Sequence, residues 1–154
     1  MQQEPVGLLI AAARRRIKQA VGNRLRGHGL SPQQFWVLVA VREAEGLALC
    51  DLAAKLRLDQ PTASRIVALL RRRRLVRIDG HEADRRRRSL RLTPGGATLA
   101  QKVYPLAREV REAVIQGITA DELERFRGLL RTVMANMERF ESATVPASPG
   151  EDVA

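Results

Sequence analysis

The spacing of apolar residues changes from a helical to a strand-like period within one short segment, and this change restricts the fold more than any other feature. From Gln60 to Arg73 the apolar residues recur every three or four positions, which predicts an amphipathic helix. In Leu75–Asp79 and Ser89–Thr93 they alternate with polar residues, which predicts two strands. Because the long basic linker Gly80–Arg88 joins these strands, the simplest arrangement is a β-hairpin that follows a helix.

Further helices are predicted on both sides of this segment. Ser31 and Gln34 have the spacing of a capping box, and Pro32 suits the first helical position. Pro105 interrupts another helical pattern, so a kink or a break is expected there. The remaining predictions are a helix over Val6–Leu25, a helix over Pro32–Ala44, an edge strand or connector at Leu47–Leu49, a brief helix at Leu52–Leu56, a helix over Pro94–Gln116 and a last helix capped by Thr119.

The helix at Gln60–Arg73 is predicted to have two different faces. Asp59 is a suitable N-cap, and Pro61 falls in the first turn, where its missing amide hydrogen costs little. The face expected to be buried contains Ala63, Ile66, Val67, Leu69 and Leu70. The opposite face contains Pro61, Thr62, Ser64, Arg65, Ala68 and Arg72.

Positive charge is concentrated around this helix and the hairpin. The chain has 27 Lys and Arg against 17 Asp and Glu, a net charge of +10, and the segment from Arg57 to Arg91 alone has a net charge of +8. Arginine binds phosphates and guanine edges through two parallel hydrogen bonds, so nucleic acid is the favoured partner. A GC-rich genome would explain the choice of arginine over lysine, but not this clustering.

Short helices followed by a basic hairpin predict a winged helix-turn-helix, in which one helix enters the major groove of DNA and the hairpin forms a wing. The predicted fold class is mainly α with a small β-wing (α+β). The first and the last two helices contain apolar seams with no other obvious partner, which predicts a homodimer. The seam of the last helix has heptad spacing and contains Leu123, Phe126, Leu130, Val133, Met137 and Phe140.

Four segments follow from these patterns. They are an N-terminal dimerisation helix at residues 1–30, a DNA-binding lobe at residues 31–93, C-terminal dimerisation helices at residues 94–141 and a tail at residues 142–154 that is predicted to be disordered.

The chain resembles the MarR family of bacterial transcription regulators over about residues 6 to 140. The matching stretches are LSPQQFWVLVAV, LALCDLAAKLRLDQPTASRIVALLRRRRLVRI and ADRRRRSLRLTPGG. The resemblance implies that Arg86 enters the minor groove, that Asp84 orients the wing, and that Arg85, Arg87 and Arg88 contact the DNA backbone or solvent. It also implies a major-groove face of Gln60, Pro61, Thr62, Ser64 and Arg65. Arg72 is separately predicted to contact DNA through a phosphate.

Two positions depart from the family pattern. Arg74 stands where the family commonly has a glycine that closes the recognition helix, so the cap is expected to be shifted or formed without a left-handed residue. Cys50 stands where the family often has a capping serine, which predicts a capping or packing role, with oxidant sensing as the alternative. For the run Arg71–Arg74, two roles stay open: offsetting the helix dipole and contacting phosphate.

Many family members bind a small aromatic or phenolic acid between the dimerisation helices and the lobe. That resemblance implies stacking on Trp36 and a carboxylate partner in His28, Arg14 or Arg16, although core packing is the other interpretation of Trp36.

The functional hypothesis is a homodimeric regulator of double-stranded DNA with a pseudo-palindromic operator, more specifically a repressor released by such a ligand. The alternative is an architectural DNA- or RNA-binding protein without sequence preference or ligand control. No catalytic set, metal site or cofactor motif is present in the sequence, so an enzyme is not predicted. No apolar run approaches the roughly 20 residues of a membrane span, and a cytoplasmic location is expected.

Overall fold

The computed structural model describes residues 4–80 and 89–143, so the predicted contacts of Asp84–Arg88 and most of the predicted tail lie outside the described residues. The chain divides into two compact units, residues 1–114 and 115–154, which we describe separately. The elements are α1 (Val6–Arg24), α2 (Pro32–Glu43), β1 (Leu47–Ala48), α3 (Leu49–Leu56), α4 (Gln60–Arg72), β2 (Val76–Asp79), β3 (Ser89–Leu92), α5 (Pro94–Ile115) and α6 (Ala120–Ala143).

The predicted hairpin is confirmed. The segment Leu47–Ala48, predicted as part of an edge strand or connector, is the third strand of the same sheet. The strand order is β1-β3-β2, and both pairings are antiparallel. Leu90 lies opposite Ile78 on one side and opposite Leu47 on the other, so one apolar position of β3 contacts both neighbouring strands. This register puts the alternating apolar residues on one face of the sheet, toward the helices.

The core of the first unit is centred on α2. Its residues Phe35 and Val37 to Val41 are buried, although a surface helix would bury only one stripe. They pack in one cluster with Leu52 of α3, Leu70 of α4 and Leu90 of β3. The predicted buried face of α4 is correct for four of its five residues. Leu69 is 41% exposed, and the prediction for this residue is wrong.

Two predicted N-caps of the lobe are confirmed. The Gln34 amide donates to Ser31 Oγ at 3.2 Å, and the Ser31 amide donates to Gln34 Oε1 at 3.0 Å, which completes the capping box of α2. The Thr62 amide donates to the Asp59 carboxylate at 2.7 Å at the start of α4. Each bond satisfies an amide that has no partner within its helix.

The end of α4 differs from the prediction. Arg74 adopts a left-handed conformation with φ of 55°. Because arginine is strained in this conformation, the cap was expected to be shifted or to form without a left-handed residue. The Leu75 amide donates to the Leu70 carbonyl at 2.9 Å and the Arg74 amide donates to the Arg71 carbonyl at 2.8 Å, which is a Schellman motif. A left-handed non-glycine residue costs roughly 1–2 kcal/mol, so surrounding packing must impose it.

Contacts with the start of α5 explain why the chain accepts this cost. Thr93 Oγ1 donates to the Arg74 carbonyl at 2.6 Å. A Cβ added to Gly96 would lie 1.8 Å from the carbonyl oxygen of Leu75, so only glycine permits this approach. The backbone after α4 is therefore clamped against α5 whichever side chain stands at position 74.

The predicted capping role of Cys50 is wrong. Ala48 is the N-cap of α3, and Cys50 is the second residue of the helix. Its thiol is exposed, which also excludes a packing role in the described chain. The helix begins earlier than predicted because Leu49 joins its first turn.

Helix α5 continues through Pro105 over 22 residues, so no helix break occurs. Val103 and Ala107 beside this proline are buried, and their packing supports the helix where one backbone hydrogen bond is missing.

The second unit contains α6. Thr119 is confirmed as its cap, because the Thr119 amide donates to Glu122 Oε2 at 2.9 Å and the Glu122 amide donates to Thr119 Oγ1 at 3.4 Å. The helix extends to Ala143, two residues into the segment predicted as a disordered tail. None of its residues is buried, and Phe126, Met137 and Phe140 of the heptad seam are more than half exposed.

Candidate nucleic-acid interface

The outward face of α4 presents side chains of the kinds that read or contact DNA in protein–DNA complexes. Gln60, Pro61, Ser64 and Arg65 are exposed, as predicted for a major-groove face. Helix α4 is held from behind by Ile66, Val67 and Leu70, which fixes its orientation on the lobe. We call this exposed surface the recognition face.

Thr62 differs from its neighbours because its hydroxyl is used within the protein. Thr62 Oγ1 donates to Asp59 at 2.9 Å and accepts from Arg65 Nη2 at 3.3 Å. The backbone and side-chain hydrogen bonds from Thr62 lower the pKa of Asp59 below its ordinary value. A chain of hydrogen bonds therefore runs from Asp59 through Thr62 to Arg65.

A ladder of ion pairs crosses the sheet next to the wing. Asp79 Oδ1 accepts from Arg77 Nη1 at 2.6 Å, and Asp79 Oδ2 lies 3.2 Å from Arg91 Nε. Arg91 also lies 3.8 Å from Glu45, in the turn before β1. These contacts connect β2 and β3 with the turn before β1.

The run Arg71–Arg74 has divided roles. Arg73 Nη1 donates to the Gly29 carbonyl at 2.6 Å and to Gln34 Oε1 at 3.4 Å, so this arginine holds the α1–α2 loop. In the described part of the chain, Arg71, Arg72 and Arg74 have no side-chain hydrogen bond or ion pair. They line a concave surface of about 880 Å³, which we call the arginine groove; its lining residues are Ala68, Arg71, Arg72, Arg74, Val76, Arg77, Ile78, Thr93, Pro94 and Gly95.

Comparison with known proteins agrees with this architecture. A family model, described as the MarR family, matches residues 28–87. The HTH-type transcriptional repressor NicR of Pseudomonas putida is 30% identical over 135 residues, which cover 88% of this chain and 85% of the repressor. The chain belongs to the MarR family.

Solved structures of similar proteins extend the likeness to the fold. BpsR of Bordetella bronchiseptica, whose DNA binding is regulated by 6-hydroxynicotinic acid, is 28% identical and has a TM-score of 0.70 over 85% of this MarR-family chain and 99% of BpsR. A mutant of Escherichia coli MarR, complexed with operator DNA, is 25% identical and has a TM-score of 0.68 over 84% of this chain and 93% of that one. The predicted winged helix-turn-helix class is confirmed.

In the described structure, no hydrogen bond, ion pair or ring contact joins the predicted ligand residues of this MarR-family chain to one another. Arg14, Arg16 and His28 are exposed, and within the described residues none of their side chains has a hydrogen bond or an ion pair. Trp36 is half-buried against Phe35, with ring centroids 4.8 Å apart and tilted by 60°. The guanidinium of Arg111 in α5 lies 5.8 Å from the centroid of the Trp36 ring.

A polar cluster beside Trp36 was missed in the sequence. Glu43 Oε1 accepts from Arg111 Nη1 at 2.7 Å and from the Tyr104 hydroxyl at 3.3 Å, and Lys55 Nζ lies 3.6 Å from Glu43 Oε2. The hydrogen bond from Arg111 lowers the pKa of Glu43, and the same bond raises the pKa of Arg111. The cluster ties α2 and α3 to α5.

The sequence contained only a weak signal for this cluster. Tyr104 and Arg111 are seven residues apart, two helical turns on one face of α5, but nothing in the pattern indicated that this face meets Glu43. Arg77 was not identified as a site residue from the sequence. The two-residue alternation of the strand Val76–Asp79 nevertheless indicated that its side chain faces outward.

Residues 4–80 and 89–143 contain no group of three or more His, Cys, Asp or Glu side chains that could hold a metal ion. No helix within those ranges is both long and apolar enough to cross a membrane.

Proposed function

We propose that this MarR-family protein is a homodimeric transcriptional repressor that binds a specific DNA operator and releases it when a small aromatic acid binds. The observation that supports DNA binding most directly is the recognition face: exposed Gln60, Ser64 and Arg65 on a helix fixed by a buried core, within a segment of net charge +8. Gln and Arg side chains match the major-groove edges of adenine and guanine.

Two copies would account for the unburied seam of α6. A helix of 24 residues that buries no side chain is not stabilised by its own unit, and its apolar residues follow the heptad spacing of a helix that packs on another. A two-fold dimer presents two lobes to two half-sites about one turn of DNA apart, roughly 34 Å.

Release by an aromatic acid is supported by the region around Trp36. An indole face, a neighbouring guanidinium and a hydroxyl from Tyr104 provide stacking and carboxylate recognition together. A ligand carboxylate would compete with Glu43 for Arg111, which would loosen the link between α2 and α5. BpsR, at 28% identity, responds to an aromatic acid, and NicR is a repressor. Arg14, Arg16 and His28 stay candidate partners of the carboxylate.

The decisive experiment is footprinting on the DNA upstream of the protein's own gene. We expect a protected near-palindrome, bound about 10³-fold or more tightly than random duplex. Equal affinity for random duplex would instead indicate an architectural protein. Adding 6-hydroxynicotinate should release the operator. Release requires that the ligand bind the free protein more tightly than the DNA-bound protein.

The wing is tested separately by Arg86→Ala. We expect weaker operator binding and a lost preference for A·T base pairs beneath the wing, because a narrow minor groove attracts a guanidinium. Operator binding equal to that of the parent protein would show that Arg86 is not the minor-groove residue.

A further inference from the structure

The arginine groove brings four positive side chains together on one concave surface. Arg71, Arg72 and Arg74 come from the end of α4, and Arg77 comes from β2. None of the described residues that line the groove is acidic. Arg77 pairs with Asp79 through Nη1 alone. This contact holds the Arg77 guanidinium in place, while the other N–H groups of the guanidinium stay available. A concave surface of one sign concentrates its field and attracts anions.

The backbone of Arg74 indicates that its side chain has a use. Thr93 and Gly96 clamp the chain in a left-handed conformation at position 74, where glycine would be without strain. Arginine keeps that strain, and its side chain makes no hydrogen bond or ion pair with the described residues to offset it. The strain alone does not identify a partner, since Arg57 is also left-handed outside the groove, but the Arg74 guanidinium is available to an external anion at a surface that three other arginines share.

The position of the groove identifies the anion. Arg72 and Ala68 line the groove, and both also belong to the outer face of α4 that continues from Ser64 and Arg65. A duplex that receives α4 in its major groove has phosphates along both rims of that groove. An extended polyanion suits an open groove with several separate guanidinium groups better than one small ion does.

We propose that the arginine groove binds the phosphate backbone of DNA beside the recognition face, with Arg74 and Arg77 as phosphate-binding residues. This proposal rests on the proposed function and adds a second contact surface to it. Because phosphate contacts do not depend on base sequence, they are present on any duplex.

The test measures binding of a random-sequence DNA duplex to the full chain at several KCl concentrations. Each phosphate contact contributes about 0.9 to the slope of log affinity against log salt concentration. We expect Arg74→Gly and Arg77→Gln each to reduce the slope by about 0.9, and the double variant to reduce it by about 2. Arg74→Gly should also raise the Tm by about 2–4 °C, so it weakens DNA binding while strengthening the fold.

Two control variants separate the causes. Arg57 is the other left-handed arginine, with φ of 54°, and it does not line the groove. Arg57→Gly removes the backbone strain at this position and should raise the Tm by a similar amount. Arg125→Gln on α6 removes one exposed charge that does not line the groove and should leave the slope unchanged. A slope reduced equally by Arg125→Gln would overturn the proposal, since net charge alone would then explain the effect.

Unchanged slopes for Arg74→Gly and Arg77→Gln, in a background that binds duplex, would overturn this proposal and leave the proposed function intact. A parent protein that binds no duplex would overturn both. Thermal stabilisation by inorganic phosphate that Arg74→Gly abolishes, with unchanged DNA slopes, would assign the groove to a small anion and also overturn the proposal.

Discussion

The winged lobe and α6 are incomplete in opposite ways. The lobe buries most of its large apolar residues, with Phe35 at 0% exposure, but the segment Arg57–Arg91 has a net charge of +8. Helix α6 has five acids against four arginines, and yet Phe126 is 51% exposed and no residue is buried. One region has a closed core and open charge, while the other has balanced charge and an open apolar seam. The lobe therefore needs an anionic partner, and α6 needs an apolar one.

The largest effect is expected from truncating the closed core. Phe35→Ala should lower the free energy of unfolding by about 3–5 kcal/mol, because it leaves a cavity beneath α2. Urea unfolding followed by circular dichroism measures this loss. A loss below about 1 kcal/mol would show that the lobe core is not closed around Phe35.

The open seam should respond through association. Phe126→Glu places a charge in the proposed helix–helix contact and should weaken dimerisation by at least about 100-fold, measured by analytical ultracentrifugation. Leu129→Glu is the matched control, since Leu129 is 65% exposed but lies outside the heptad seam. If Leu129→Glu weakens the dimer as much as Phe126→Glu, the seam assignment is wrong.

The open charge of the lobe is tested at the recognition face. Arg65→Ala should weaken operator binding by about 1–3 kcal/mol and relax the preference at one base pair, because a bidentate contact to a base is lost. Arg125→Ala on α6 removes the same group and should leave operator affinity unchanged. Equal losses in both variants, measured by fluorescence anisotropy, would mean that the lobe is not the reading surface.

The smallest effect concerns the Glu43 cluster between α2 and α5. The side chain of Glu43 is 19% exposed and bonded to Arg111, whereas that of Glu45 is 77% exposed. Glu43→Gln should lower the free energy of unfolding by about 1 kcal/mol at pH 7, and Glu45→Gln should leave it nearly unchanged.

The pH dependence of that effect has a definite sign. Because Arg111 holds the pKa of Glu43 below its ordinary value of 4.5, the stabilisation is present above that value. It is lost as the pH falls through the lower folded-state pKa. Urea unfolding from pH 7 to pH 3 should therefore show the parent and Glu43→Gln converging, and a constant difference would contradict the pairing.

Regular patterns made most of the elements predictable. The capping box at Ser31, the hairpin strands and helix α6 depend on residues close in sequence, and the structure contains them as predicted. The prediction that Leu69 is buried was wrong. Its apolar character fits the helical period, but the buried face of α4 is narrower than that period suggests. Pro105 failed to break α5 because packing on both sides supports the helix.

The composition of the candidate interface was also predictable, but its geometry was not. The exposed positions of α4 follow from its period, and the charge was visible in the sequence. Thr62 was predicted on the DNA-facing side of α4 from its position alone, and only the structure shows that its hydroxyl is bonded to Asp59 and Arg65. Arg73 looked equivalent to its three neighbours until its bond to Gly29 distinguished it.

The sequence by itself determined the helices, the wing strands, the cationic segment and the family, because these depend on local spacing and residue type. Only the tertiary structure decided which of four consecutive arginines is structural, why Arg74 is left-handed, and that Glu43 meets Arg111. The physical reason is that each of these depends on a contact between residues distant in sequence. A backbone clamp from Thr93 and Gly96 can override local preference at Arg74, and no periodicity in the chain encodes such a contact.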